Sequence, residues 1–230
     1  MSRSGQLSIS RTKNIKRPNE YILALSGEFS PWTFDEEEAP KCKGRWREIL
    51  NMPVDVPVDA ELGTGNGYHF AHQALSHPHR GLIGFELKYK PLIQSIRRAV
   101  RDGAKNARAV RYNAALITNI FAAGELDNIF IHFPDPWEKL RNHKHRMIQD
   151  EFLKRLHSVQ KIGGRVEFKT DSREYFDWAM ERFARSPYEI AGHSFDLHRS
   201  EYAARNYMTH FEKIFTKQGL PTHYAELVKI

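Results

Sequence analysis

A single cysteine, Cys42, stands in 230 residues, which excludes an internal disulfide and a multi-cysteine zinc site and suits a reducing compartment. No apolar run approaches the ~20 residues that a membrane-spanning helix needs. Residues 1–17 are polar and basic and lack the hydrophobic segment of a secretory signal. A cytoplasmic location is therefore the default expectation. Internal repeats and low-complexity tracts are also missing. Acidic residues are the scarcer charge, 28 against 35 Lys and Arg, and the resulting +7 favours a polyanionic partner. With 40% apolar and 27% charged residues, the chain has the composition of a globular protein, and its length fits one large domain.

Organisation changes along the chain. Residues 1–20 carry Arg3, Arg11, Lys13, Lys16 and Arg17 with almost no apolar periodicity, and read as a flexible basic arm. Residues 21–56, with Pro31, Pro40, Pro53 and an acidic run at 35–38, read as an irregular lead-in with one short helix near 43–50. Over 57–230, short apolar runs alternate with helical patterns, the mark of repeated βα units. Strands are expected at 58–62, 81–87, 107–112, 126–133 and 165–170, a short helix at 116–123, and an antiparallel edge within 188–230. One helix sets Ile93, Ile96 and Val100 on its apolar face and Arg97, Arg98 and Arg101 on the other. The fold class is a doubly wound α/β sheet.

Such a sheet binds its ligand outside the carboxyl ends of its strands. There the first strand enters Gly63-Thr64-Gly65-Asn66-Gly67. Glycines permit positive φ and let the backbone approach a ligand with no Cβ in the way. The spacing is G-x-G-x-G, with Tyr68 where a dinucleotide fold wants a third small residue, and no Lys-Ser/Thr pair follows to make a P-loop. Glu61 opposes a pyrophosphate and suits a cationic ligand such as S-adenosylmethionine. Glu86, closing the second strand, is placed to accept hydrogen bonds from a ribose, and Asn113, closing the third, to meet an adenine edge. An NAD-linked oxidoreductase finds no hydride-transfer acid or base here.

The stretch Phe133-Pro134-Asp135-Pro136-Trp137 holds a carboxylate between two prolines at the end of the most hydrophobic strand. Proline rigidity predicts extended backbone at Phe133 and Asp135. Trp137 is expected to pack in the core, and Asp171 is a candidate helix cap. The basic run through Lys139, Arg141, Lys144 and Arg146 suits phosphates. His69, His72, His77 and His79 lack a carboxylate or cysteine complement that reads as a metal site, so no metal is expected.

Several motifs in register resemble the bacterial tRNA (guanine-N7-)-methyltransferases. They are Lys43-Gly44-Arg45-Trp46, Glu61-x-Gly63-x-Gly65-x-Gly67, Ile83-Gly84-Phe85-Glu86, the run from Phe133 to Arg146, Gly163-Gly164 with Thr170-Asp171, and Thr209-His210-Phe211-Glu212. The likeness spans Lys43 to about Leu227. It implies a Rossmann-like class I methyltransferase fold with a seven-stranded, mostly parallel sheet and an antiparallel C-terminal edge. By position, it implies that Glu61, Glu86, Asn113 and Asp135 contact S-adenosylmethionine beside the glycine turn. Lys139, Asp171, Thr209, His210, Phe211 and Glu212 would contact the target nucleotide, and Arg141, Lys144 and Arg146 the tRNA backbone. The implied product is 7-methylguanosine in the tRNA variable loop, with monomer and homodimer both open. Asn113 departs from the family's usual Asp, Asn66 from a common Lys, and Glu138, Leu140, Asn142 and His145 from more basic or proline-containing patterns. Asp135 is expected to orient the base rather than to take a proton. Two rivals are a methyltransferase acting on an exocyclic amino group of RNA and a non-catalytic tRNA-binding protein.

Overall fold

The structure, a computed structural model, describes residues 11–230. The arm expected over 1–20 falls partly outside them. Its described end is docked: the Thr12 hydroxyl donates to Glu36 at 2.8 Å and lies 2.9 Å from the Tyr89 hydroxyl, and Lys13 pairs with Glu37 at 2.6 Å. The acidic run of the lead-in thus has basic and hydroxyl partners upstream.

The lead-in is more regular than its prolines suggest. Asn19 accepts hydrogen bonds from the Tyr21 and Ile22 amides and starts helix α1, Glu20–Ser26. A two-residue strand β1, Thr33–Phe34, and a short helix α2, Trp46–Ile49, follow. Trp46 is fully buried, edge-on to Phe34, with its indole N–H donating to the Ile120 carbonyl at 2.9 Å. Then come β2 (Val58–Leu62), α3 (Tyr68–Ser76), β3 (Gly81–Phe85), α4 (Tyr89–Arg101), β4 (Ala107–Val110) and β5 (Ile129–His132). The second half holds α5 (Asp150–Val159), β6 (Arg165–Thr170), α6 (Arg173–Ala184), β7 (Tyr188–Ser194), α7 (His210–Lys217) and β8 (His223–Lys229). The helix expected at 116–123 is a 3-10 turn over Ala114–Asn119.

The sheet runs β1-β4-β3-β2-β5-β6-β8-β7, parallel from β1 to β6, with β8 antiparallel to both of its neighbours. It has eight strands, not seven, because β1 adds an outer edge too short to leave a sequence pattern. Every residue of β2 and β3 is buried, as expected where helices cover both faces. Leu82 faces the core made with α1, α3 and α4, while Ile83 and Phe85 face the one made with α2, α5 and α6. Strand order reverses between β2 and β5, which opens a crevice at their carboxyl ends. Among the described residues, no helix is long and apolar enough to cross a membrane.

Candidate active site

Two loops meet at that crevice. From β2, the chain turns through Gly63, Gly65 and Gly67 at φ of +89°, +52° and +76°. A Cβ on Gly63 or Gly65 would meet nothing within 4 Å, so these glycines border open space. On Gly67 it would lie 2.3 Å from the Ser95 Cα, so glycine is required where α3 approaches α4. Glu61, 3% exposed, places its carboxylate in the wall of the cleft. Glu86, just beyond β3, accepts the Gly65 amide at 3.2 Å on one oxygen and the Leu87 and Lys88 amides at 2.8 and 2.9 Å on the other. It clamps the glycine turn and keeps lone pairs for a ligand. The Asn113 side-chain oxygen caps the following 3-10 turn through the Ala115 amide at 3.0 Å, which leaves its NH2 as the group to offer.

From β5, the chain enters the Pro-flanked turn. Phe133 is not extended: it has φ +50°. Its amide donates to the Lys169 carbonyl at 2.8 Å, and its ring centroid lies 6.2 and 5.7 Å from those of Phe211 and Phe215. Packing against α7 thus holds a conformation that local sterics disfavour. Trp137, at φ +47°, is also left-handed, and 40% exposed; it lies beside His145, not in the core. Asp135 is exposed between them.

Between the loops lies a buried polar chain. His69 Nδ1 is 2.8 Å from Glu61, and the His69 ring packs edge-on to His132 with centroids 4.3 Å apart. His132 Nε2 is 2.7 Å from Glu167, whose other neighbour is the Lys169 ammonium at 3.2 Å. Burial, helped by the Lys169 ammonium nearby, drives the His132 pKa down to about 3, so the imidazole is neutral and Nε2–H donates. Burial opposes ionisation of Glu167, but Lys169 and the His132 hydrogen bond outweigh it and hold the carboxyl well below its usual range. His69, expected to have no carboxylate complement for a metal site, is thus buried with Glu61 and Glu167 nearby. Ligand atoms of His69, His132 and Glu167 fall within 4.8 Å of one another, but the Lys169 ammonium already supplies a cation to this carboxylate. The chain joins residues from β2, α3, β5 and β6. Its one trace in the sequence is the alternation of Glu167 and Lys169 with the apolar Val166 and Phe168 along β6.

The remaining expected residues separate into two groups. Thr209, His210 and Phe211 line the cleft together with Glu61, the glycine turn and His132. Glu212 is fully buried: its carboxylate accepts the Thr209 amide and the Asn206 side chain, each at 2.8 Å, and closes a capping box on α7. Lys139, Arg141 and Lys144 are exposed, as a phosphate contact requires. Arg146 is not, with a side-chain exposure of 0%. Its Nε donates to the Pro136 carbonyl at 2.7 Å, Nη2 pairs with Glu174 at 2.8 Å, and the guanidinium packs on the Tyr175 and Trp178 rings. It fastens the Asp135 turn from below. Asp171 is half-buried, and burial raises its carboxyl pKa. Ser172, rather than Asp171, caps α6.

A glycine turn and an acidic strand end at the switch point of this sheet define a Rossmann-like methyltransferase. The profile of a family described as "Putative methyltransferase" matches residues 55–225. A tRNA (guanine-N(7)-)-methyltransferase of Bdellovibrio bacteriovorus is 48% identical, covering 90% of this chain and all of that one. One from Lachnoclostridium phytofermentans is 34% identical over 93% of this chain and 95% of its own. The chain belongs to the tRNA (guanine-N7-)-methyltransferase family. Among solved structures, the 16S rRNA (adenine(1408)-N(1))-methyltransferase from Catenulisporales acidiphilia, a W203A mutant with cosubstrate SAM, shares the fold with a TM-score of 0.55. It does so at 15% identity, covering 83% of this chain and 91% of that one.

Proposed function

We propose that this chain transfers a methyl group from S-adenosylmethionine to N7 of a guanine in the variable loop of tRNA, giving 7-methylguanosine. The observation that carries the reading is the convergence, at one β2/β5 crevice, of the buried Glu61 carboxylate, glycines bordering open space and the exposed Asp135 turn. S-adenosylmethionine supplies a methyl group on a positively charged sulfur. Glu61 gives the wall of the cleft a negative charge that suits a cation, while Glu86 and Asn113 offer an acceptor and a donor at the ends of neighbouring strands. Guanine N7 presents an in-plane lone pair, so no residue has to remove a proton from it.

What the protein then supplies is alignment, an effect worth up to about 7–11 kcal/mol in favourable cases. Asp135 orients the base by accepting from the guanine N1–H or 2-amino group, and its charge favours the cationic purine that forms. Exposed Lys139, Arg141 and Lys144 flank it for the backbone, and Asp171 and Thr209 to Phe211 face the target nucleotide. A cytoplasmic location goes with that substrate. The test is direct: incubate the full chain with labelled S-adenosylmethionine and unmodified tRNA, digest to nucleosides and identify the labelled one. Label in 7-methylguanosine supports the reading. Label on an exocyclic amino group, or none at all, overturns it.

A further inference from the structure

Helix α4 carries a cluster of guanidinium groups for which the chemistry above has no use. Arg97, Arg98 and Arg101 line a shallow cleft together with Asn66, Tyr68 and Gln94. Asn66 and Tyr68 also line the candidate active site, so the two depressions share a wall. The shared wall is an aromatic ladder. The Arg98 guanidinium sits 3.8 Å over the Tyr68 ring, which stacks on His210 at 5.2 Å and 19°. His210 meets Phe211, and Phe211 meets Phe133 at the mouth of the Asp135 turn.

Charge on this face is only partly answered. Arg97 has a loose pair with Glu28 at 3.8 Å, both side chains being half exposed or more, and Arg101 pairs with Asp102 at 2.7 Å. Such surface pairs contribute about 0–1 kcal/mol and yield readily to a stronger anion. Arg98 forms no ion pair among the described residues; it donates to the Asn66 carbonyl at 3.3 Å, which fixes its plane over Tyr68. Planar, pre-oriented guanidinium groups beside exposed aromatic rings are what a phosphodiester backbone and its bases require.

We propose that Arg97, Arg98 and Arg101 form a docking site for the phosphate backbone of tRNA, on the β3/β4 side of the crevice and across it from Lys139 to Lys144. The ladder through Tyr68 and His210 links this site to the methyl-transfer cleft, so one RNA can be held on both flanks of the target guanine. The inference rests on tRNA being the substrate, and its test separates the two claims.

The full chain and the variant R97Q/R98Q/R101Q are titrated with unmodified tRNA over a range of salt concentrations. A control, K154Q/K161Q/R185Q, removes as much charge from α5 and the chain just after α5 and α6, on the other face of the sheet. Calorimetric titration with S-adenosylmethionine verifies that each variant is folded. The patch variant is expected to lose roughly 0.7–0.9 in the slope of log K against log salt per phosphate contact, about 2–3 in all. Its KM for tRNA rises, kcat at saturating tRNA is retained, and the control variant changes far less. Equal slopes and equal KM values for patch and control variants overturn the proposal, as does an equal loss in both. If the wild-type chain methylates no tRNA yet the patch variant alone loses salt slope, the functional reading fails while the docking site stands. R101Q alone, at an exposed position, gives the same test in smaller size if the triple variant does not fold.

Discussion

Arg146 and Lys144 stand two residues apart in one basic run, and the structure gives them opposite duties. In Arg146→Met the Pro136 carbonyl loses its charged donor, at a cost of about 1–3 kcal/mol for an under-satisfied buried acceptor. The cation–π contacts with Tyr175 and Trp178 go too, worth about 0.5–2 kcal/mol, of which a thioether against the same rings restores a part. Loss of the Glu174 pair contributes little because that carboxylate is 61% exposed and returns to water. Relief of burying the guanidinium, whose Nη1 has no partner, offsets some of the sum. The net is about 2–3 kcal/mol, or roughly 4–12 °C in Tm for a chain of this size. Because the bond to Pro136 anchors the Asp135 turn, kcat falls as well. A thermal melt and a tRNA salt titration of the two variants decide the matter. Arg146→Met is expected to lose stability and keep the salt slope, whereas Lys144→Gln keeps stability and loses roughly 0.7–0.9 of slope. A variant at 146 that melts like the wild type and loses slope would refute the anchoring role and restore the phosphate contact that the sequence suggests.

Asp135→Asn is expected to bind S-adenosylmethionine normally by calorimetry while single-turnover methylation slows by roughly 10²-fold, the loss of a charge-assisted hydrogen bond and of stabilisation of the cationic purine; near-wild-type turnover would sink the orienting role. Gly67→Ala places a Cβ 2.3 Å from the Ser95 Cα at φ +76°, and combining overpacking with left-handed strain destabilises by about 2–4 kcal/mol; an unchanged urea midpoint would contradict it. His132 has a folded pKa of about 3, below its ordinary 6.5, so the folded state binds fewer protons between those values and stability drains away as pH falls through that window. The slope approaches about 1.4 kcal/mol per pH unit for one proton, and it flattens in His132→Asn. Equal pH dependence of wild type and variant, measured by urea unfolding from pH 7 to pH 4, would remove His132 as the source.

How much of this was legible in the sequence depends on the reach of each interaction. The βα alternation shows because β3, buried on both faces, is written as an unbroken apolar run, and β2, equally buried, keeps Val58, Ala60 and Leu62 around Asp59 and Glu61. The glycine turn shows because positive φ and a 2.3 Å clash leave few other residues admissible at Gly67. Strand β1 is invisible since two residues carry no period, yet α1 was announced by Asn19 ahead of an apolar stretch and was missed among the prolines around it. The buried chain from Glu61 to Lys169 was out of reach for a different reason: its members lie up to 108 positions apart and meet only because two crossovers bring β5 between β2 and β6.

The Pro-flanked turn is where a sound local rule gave the wrong conformation, and the failure is informative. A residue before proline favours extended backbone, and an aromatic side chain disfavours positive φ, yet Phe133 has φ +50° and Trp137 φ +47°. Strain of this kind costs of order 1–3 kcal/mol per residue and persists only where the surroundings over-determine it. Here they do. The Phe133 ring is caught by Phe211 and Phe215, its amide by the Lys169 carbonyl, and the far side of the turn by Arg146 on Pro136. Two left-handed corners on either side of Asp135 present its carboxylate to solvent, with no hydrogen-bond donor to it among the described residues. An extended turn would have run straight off the end of β5. For a carboxylate proposed to serve by position rather than by basicity, this rigidity is what fixes the direction in which it points.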